Sequence, residues 1–534
     1  MFHFFKPILK KYLKTIPSDL YRVWKSSQLS VTQKKITEAL TFFKAKSTVP
    51  SQGILLMQMV EDYEFTIRMA AASKVLAEKN NLEVAFYDVE INWIYEKNFQ
   101  KPFGSSLADP VLVKIHKALG GNVLFENSQK FHDTQFIQNK LDIIVNKLKT
   151  NGVFSLLDLE LENIVVGDLV YDTYLRFCHQ PTITEVNEDL IHIINTSLHL
   201  FYSFDEFVHK NNIKILLNTY SSYNKHGIPA RICLHRNIDV FTIGSYSYVI
   251  QKLSKENPYH SFDNTSIKPE KAISQKHLEA AKEKFTSRFS GKIDAAVSYM
   301  RQSAFSNTPV NPEVETLFKK RTRNVVIYVH DFFDSPHVNR KLQFPDLYQF
   351  LRQTLHELTA LEDTSVFIKA HPNGISGCKE ITIEMVEAFQ CPHFYLLDVS
   401  VSNLQIVSLR PDLICTARGT VGPEMAYFEI PTVALFDNMY ANFKFVHTCQ
   451  DLKTYFDILK GKQKPEIDFN KEMIYSFYYQ AYMEKYPPEY SELLSLLAQF
   501  KGDTYNDRYL NFVLENKSAI FSQRMMEMHK PYIA

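Results

Sequence analysis

The chain is poor in glycine, with 15 in 534 residues, and has only two tryptophans. A repeat protein with a glycine at each turn is therefore excluded, as is a collagen-like one. Its six cysteines (Cys178, Cys233, Cys378, Cys391, Cys415 and Cys449) lie far apart with no C-x-x-C pair, so neither a disulfide scaffold nor a zinc ribbon is indicated, and a reducing compartment is the simplest setting. No uninterrupted apolar run reaches the roughly 18–20 residues of a membrane helix, and the start has no signal-peptide core with a small-residue cleavage site. These features point to a cytoplasmic protein. Lys and Arg number 60 against 59 Asp and Glu, a net charge of +1, which gives no footprint for wrapping nucleic acid.

Aromatics are abundant, with 40 Phe and 29 Tyr, and 45% of residues are hydrophobic. This is the composition of a folding chain with aromatic-rich interiors. At this length two domains of conventional size are the starting expectation. Charge is uneven. Up to residue 47 there are ten Lys and Arg against Asp19 and Glu38, a local net of +8. Phe2, Phe4, Phe5, Ile8, Leu9, Tyr12, Leu13 and Ile16 interleave with them at helical spacing. Such a helix either lies on an anionic inner-membrane surface or packs its apolar face on the protein body. We set residues 1–50 apart as this basic amphipathic segment.

From residue 53 the pattern is strand, helix, strand: GILLMQMV over 53–60, a helix to about Lys79, then LEVAFY over 82–87. Further strands are expected at 163–167 (NIVVG), 214–218 (KILLN) and 239–244 (DVFTIG). Short continuous apolar runs separated by helical stretches are the signature of a buried parallel sheet. Residues 51–253 thus form an N-terminal α/β domain, and the polar stretch 254–323, without a convincing strand, is a linker region. Alternation restarts with expected strands at 324–330, 365–371, 394–398, 412–417 and 432–436, giving a second α/β domain over 324–470, followed by helices over 471–534 that cross back toward the first domain. The expected fold class is α/β, with two doubly wound, Rossmann-like domains facing each other across a cleft. Ligands in such folds bind at the carboxyl ends of the strands, so the polar residues just after each strand matter most.

Two segments carry the chemistry. After DLICTA comes Arg418, Gly419, Thr420, Val421, Gly422, Pro423, Glu424, where a turn with two glycines opens a helix and can receive a phosphate. Arg418 can neutralise a diphosphate, and Glu424, one turn into the helix, can accept both ribose hydroxyls or else cap its own helix. After SVFIKA comes His371 followed by Pro372, which bars an immediate helix and holds the histidine at the strand end, where it can bond a phosphate oxygen without a metal. In the N-terminal half, Asp62 follows the first strand. Asp168 and Asp172, with Arg176, share a helix face at i, i+4 and i+8. These three carboxylates are the candidate catalytic bases, while an Asp172–Arg176 pair with Asp168 as a helix cap remains the structural alternative. Segment 330–337 holds His330, Asp331, Asp334 and His337; its spacing fits no zinc motif, so donor or hinge contacts are expected and no metal is assigned. Residues 218–227, rich in hydroxyls and aromatics, suit acceptor-sugar contact as well as a solvated loop.

The KAHPN segment (369–373) and RGTVGPEMAYFEIPTVAL (418–435) together resemble the donor domain of GT-B glycosyltransferases that build bacterial capsule and lipopolysaccharide, including the capsule-type Kdo transferases. The resemblance covers about 324–440 and touches GDLVYDTYLR (167–176), similar to a segment of the acceptor half of surface-carbohydrate proteins. It implies a nucleotide sugar held by His371, Pro372, Arg418, Gly419, Thr420, Gly422 and Glu424, with CMP-activated Kdo as one candidate donor, and a glycan or lipid-linked acceptor on the N-terminal domain. No cofactor is implied beyond the nucleotide-sugar co-substrate. Polyol-phosphate transferases, nucleotide-sugar 2-epimerases and non-catalytic glycan-assembly subunits share these features, so the motifs fix the fold better than the reaction.

Overall fold

A computed structural model of the chain describes residues 34–46, 50–60, 63–89, 116–126, 131–243, 249–260, 267–291, 303–306, 308–339, 342–371, 374–435, 438–484, 507–515 and part of 524–530. Its helices and strands build two parallel sheets. The first contains β1 (Ile54–Gln58), β2 (Glu83–Asp88), β3 (Val123–Glu126), β6 (Ile213–Asn218), β7 (Asp239–Thr242) and β8 (Gln251–Leu253), in the order β3-β2-β1-β6-β7-β8. All neighbours are parallel except β8, which runs antiparallel to β7 at the edge. The apolar runs of β1 and β6 are there because these central strands are covered on both faces. One face packs on α1 (Tyr63–Asn80), and the other on α2 (Thr134–Asn151), α3 (Gly167–Phe177), α4 (Glu188–Lys210) and α5 (Ile228–His235).

The second sheet has the order β11-β10-β9-β12-β13-β14 and is parallel throughout. Its strands are β9 (Arg323–Tyr328), β10 (Thr364–Lys369), β11 (Phe394–Leu397), β12 (Leu413–Thr416), β13 (Thr432–Leu435) and β14 (His447–Cys449). The molecule is thus a mixed α/β protein of two parallel-sheet domains, the α/β class expected. The linker region has α6 (Gln275–Ser287) and α7 (Pro312–Phe318) and no strand among its described residues before β9. Helix α6 does not float free. Phe285 meets Tyr478 edge to face at 5.4 Å, joining α6 to the later helix Lys471–Tyr478 in an aromatic cluster against the second sheet. Past that helix, Val513 is fully buried in the core of the first domain with Ile36, Leu40 and Phe43. Residues 34–46 of the basic segment therefore pack on the protein body.

One expected strand is corrected. Residues 163–167 do not join the sheet: Ile164–Val165 (β5) forms a two-residue antiparallel hairpin with Glu160–Leu161 (β4), and Gly167 already begins α3. Val165 is 43% exposed, which no central strand of a covered sheet permits. At Gly167 an added Cβ would lie 1.9 Å from the Leu156 carbonyl oxygen, so the turn into α3 needs glycine for close approach.

The two domains meet through α3 and the loop after β9. Tyr171 and Thr182 both donate to Asp346 Oδ2, at 2.5 and 2.6 Å, and Asp346 Oδ1 caps α8 (Leu347–Leu358) by accepting from the Gln349 N–H. Tyr223 donates to Asp334 at 2.9 Å, and His179 stacks on Phe333 with ring centroids 3.9 Å apart.

Candidate functional site

In a doubly wound sheet the connections leave in opposite directions from two adjacent strands, opening a crevice at their carboxyl ends. The strand orders place these switch points between β1 and β6 in the first domain and between β9 and β12 in the second. In each, a histidine bridges the pair.

In the second domain the bridge is His330, two residues past β9. Its Nε2 is 3.0 Å from Thr416 Oγ1 on β12 and accepts the N–H groups of Ala417 and Arg418 at 3.1 and 3.4 Å. Backbone N–H groups are obligate donors, so Nε2 carries no proton and the neutral ring holds its hydrogen on Nδ1. Burial, aided by Arg418 and His371, pushes this imidazole down to about 3, which keeps it neutral. Nδ1–H has no bond to the described residues and is not among the buried unpartnered atoms, so a donor is left at the crevice. His371 stands at the neighbouring strand end, past β10; burial and then Lys369 lower its pKa, so it too is neutral near pH 7. Lys369 is buried beneath it and donates to the Val401 carbonyl. Pro372 lies outside the described residues.

Arg418, half-buried, donates to the Pro336 carbonyl at 2.6 Å. The turn it opens has its own internal bonds: Gly419 N–H goes to Thr416 Oγ1 at 3.1 Å, and Gly422 N–H to the Gly419 carbonyl at 3.1 Å. Thr420 stands at the N-cap position of the seven-residue helix Val421–Tyr427 without a side-chain cap bond. Gly422 answers to packing, since a Cβ there would lie 2.6 Å from the Tyr440 hydroxyl, which itself donates to the Gly419 carbonyl. Glu424 is 2% exposed and paired with Arg288 of the linker at 2.5 Å; its other oxygen is 3.4 Å from Asn403 Nδ2. The linker thus holds the helix that was expected to bind a ribose. Sequence spacing carried no sign of a partner 136 residues away.

The candidate carboxylates of the first domain are placed in ion pairs. Asp168 makes a bidentate pair with Arg231, at 2.5 and 2.6 Å. Burial alone would raise this carboxyl, but Arg231 outweighs it and the pKa is lowered. Asp172, 2% exposed, faces His337 of the second domain at 2.6 Å. The two aspartates share a face of α3 as the i, i+4 spacing requires, but Asp168 pairs with Arg231, beside a bond from the Leu169 N–H of its own helix, and Asp172 pairs with His337. Asp62 lies outside the described residues. In segment 330–337, His330 bonds Thr416, Asp331 accepts the Phe333 and Ile375 N–H groups, Asp334 accepts from Tyr223, and His337 meets Asp172. Four separate partners pull these side chains apart. Among the described residues, no group of three or more His, Cys, Asp or Glu is placed to hold a metal ion.

At the switch point of the first domain, Gln58 at the end of β1 is fully buried. Its Oε1 lies 2.9 Å from His226 Nδ1, 3.2 Å from Thr219 Oγ1 and 3.4 Å from the Thr219 N–H. Tyr220 packs edge-on against both His226 and His260, and His260 Nδ1 accepts the Ser221 N–H at 3.0 Å. Burial pushes His260 down to about 4. Asp88, at the end of β2, is fully buried with neither carboxylate oxygen hydrogen-bonded to a described residue. Gln58 and Asp88 were not singled out from sequence, whereas His226 lies in the 218–227 segment expected to contact the acceptor. A glutamine inside the apolar run GILLMQMV was the available signal for the first, because a polar side chain in a covered strand needs a partner. The two strand-end regions lie near a common carboxylate. The Asp334 carboxylate acts electrostatically on His260 of one domain and on His371 of the other.

No family model and no curated protein matches the chain. Among solved structures, it is similar to a beta Kdo 2,4 transferase, KpsC of Thermosulfurimonas dismutans, with 11% identity over 50% of this chain and 80% of that one and a TM-score of 0.31. It is also similar to a UDP-N-acetylglucosamine 2-epimerase from Listeria monocytogenes (11% identity, 81% and 92% of the two chains, TM-score 0.23). A third is the N-terminal domain of Candida albicans trehalose-6-phosphate phosphatase (10%, 86% and 98%, TM-score 0.28). At these identities and scores the functional reading rests on the chain's own residues.

Proposed function

We propose that the chain is a glycosyltransferase that moves a sugar from a nucleotide-activated donor to a glycan or lipid-linked acceptor, with the donor in the second domain. The observation that supports it most directly is the β9–β12 crevice, where the Nδ1–H of His330, the His371 ring and the Arg418 guanidinium converge at the strand ends. Hydrogen-bond donors and one cation in a half-buried crevice suit a phosphate or diphosphate and stabilise the charge that appears on the nucleotide as it departs. Glu424, oriented by Arg288, is the candidate contact for the ribose. The nucleotide contact takes in the 418–422 turn and, next to His371, Pro372. No metal is required in this reading, since charge relief comes from side chains.

Asp168 and Asp172 act in it as positioning residues: their ion pairs fix α3 against Arg231 and against the second domain. A CMP-activated acidic sugar such as Kdo, and a role in bacterial capsule or lipopolysaccharide synthesis on the inner face of the membrane, extend the proposal by resemblance. Among the described residues no helix is long and apolar enough to cross a membrane, so the docking surface would be the basic segment before residue 34.

The test is turnover of CMP-, CDP-, UDP- and GDP-activated sugars with and without synthetic lipid-linked oligosaccharides. Acceptor-dependent nucleotide release is the expected result. Isomerisation of a nucleotide sugar with no acceptor present would assign an epimerase, and CMP release from a CDP-polyol would assign a polyol-phosphate transferase. Absence of turnover and of nucleotide binding would leave a non-catalytic assembly subunit.

A further inference from the structure

We infer that His226 is the general base of the transfer, and that Gln58 is the positioning residue that sets its tautomer; this rests on the glycosyl-transfer reading above. The inference starts from a fixed donor. The Thr219 backbone N–H can only donate, and it points at the Gln58 side-chain oxygen, as does the Thr219 hydroxyl. Exchanging the amide's oxygen and nitrogen would set that N–H against an NH2 group, so Oε1 is the atom that faces Thr219. His226 Nδ1, 2.9 Å from this oxygen, must then carry a hydrogen and donate it. A neutral imidazole has one N–H, so Nε2 holds a lone pair.

His226 is neutral. Burial lowers its pKa well below the usual histidine value, and Lys225 and His260 add to the effect. Among the described residues Nε2 has no hydrogen-bond partner and is not among the buried unpartnered atoms, whereas the Nε2 of Gln58 behind it is. The half-buried ring thus turns its basic nitrogen to the crevice. Its five-residue turn, Tyr223–Gly227, also carries Tyr223, whose hydroxyl reaches Asp334 of the donor domain.

The two switch points therefore present opposite polarity. His330 offers an N–H at the donor crevice, where charge develops on phosphate, and His226 offers a lone pair at the acceptor crevice, where a hydroxyl must lose its proton. In the step, the acceptor O–H proton passes to His226 Nε2 and the acceptor oxygen bonds the anomeric carbon. The bond from that carbon to the phosphate oxygen breaks, and its electron pair leaves with the nucleotide. The imidazolium formed is held by Gln58 Oε1 and loses its proton to water.

The test uses the full chain and the donor and acceptor panel above. His226→Asn is expected to lower acceptor-dependent nucleotide release by on the order of a hundredfold or more, with nucleotide binding unchanged. Gln58→Glu supplies a carboxylate that accepts the same Nδ1–H and favours the charged ring, so the acid limb of the pH–rate profile moves to higher pH; a purely structural glutamine would leave the limb where it was. Diethyl pyrocarbonate labelling read by mass spectrometry needs no substrate, and His226 is expected to label ahead of His260 and His337. Wild-type turnover in His226→Asn, an unmoved acid limb in Gln58→Glu, or His226 resisting the reagent would each overturn the inference. If the wild-type chain binds no nucleotide, the donor reading falls and this one with it; normal nucleotide binding with unimpaired His226→Asn turnover overturns the base assignment alone.

Discussion

Asp172 Oδ1 lies 2.6 Å from His337 Nδ1, and both side chains are buried, one in each domain. Burial raises the Asp172 carboxyl to about 6 although His337 opposes it. Burial alone would lower His337, but Asp172 outweighs it and the pKa is raised. The pair, with Tyr171 and Thr182 on Asp346, fixes the seam along which the cleft is framed.

Both folded-state values lie above those of the unfolded chain, so both groups contribute stability that is complete at low pH and lost as pH rises through the raised values. His337→Gln should cost about 3 kcal/mol near pH 6, the order expected for breaking a buried pair. The gap from wild type should narrow as pH passes upward through the raised histidine value. Urea unfolding at pH steps from 6 to 9 checks this, and a gap that widens with pH would contradict it.

Arg288 and Glu424 form another buried pair, with side chains 5% and 3% exposed. Glu424→Gln leaves the guanidinium buried beside a neutral amide and should cost about 3–5 kcal/mol. The double change Arg288→Met with Glu424→Leu should recover most of that stability. If Glu424 also receives the ribose, the double variant will still bind nucleosides weakly while inorganic phosphate binds as before. Thermal melts and calorimetric titration separate the two effects.

Much of the fold was legible because covered parallel strands need unbroken apolar runs: β1, β2, β6, β7, β9, β10, β11, β12 and β13 fall within a residue or two of expectation. The edge strands β3, β8 and β14 were not, since VLFE, QKL and HTC are short and partly polar. NIVV misled because an apolar tetrapeptide fits a hairpin as well as a strand. His371 and Arg418 could be located because strand ends are visible in sequence. The partners of Asp168, Asp172 and Glu424 could not, because Arg231, His337 and Arg288 are 63, 165 and 136 residues away, and no local pattern encodes such a pairing.

The basic N-terminal segment divides at residue 34. Ile36, Leu40 and Phe43 are buried in the first domain's core, so deletion to residue 51 would damage the fold as well as remove charge. A chain beginning at residue 34 keeps that packing and removes six Lys and Arg against Asp19. The full chain should co-sediment with anionic vesicles and the shorter one should not. At 1 M salt, where the Debye length is about 3 Å, the difference should shrink. Equal recovery of both chains at low salt would return the segment to a role on the protein's own surface.

The central claim, a nucleotide held at the β9–β12 crevice, is tested most directly by thermal shift against CMP, CDP, UDP and GDP, using wild type, His371→Ala, Arg418→Ala and His226→Asn. Each donor-site substitution should remove a contact worth roughly 1.5–3 kcal/mol, a loss of about ten- to a hundredfold in affinity. The account predicts that at least one nucleotide raises the melting temperature of wild type and of His226→Asn, and that the shift is lost or strongly reduced in the other two. No stabilisation by any of the four, or equal stabilisation of all four proteins, would contradict it.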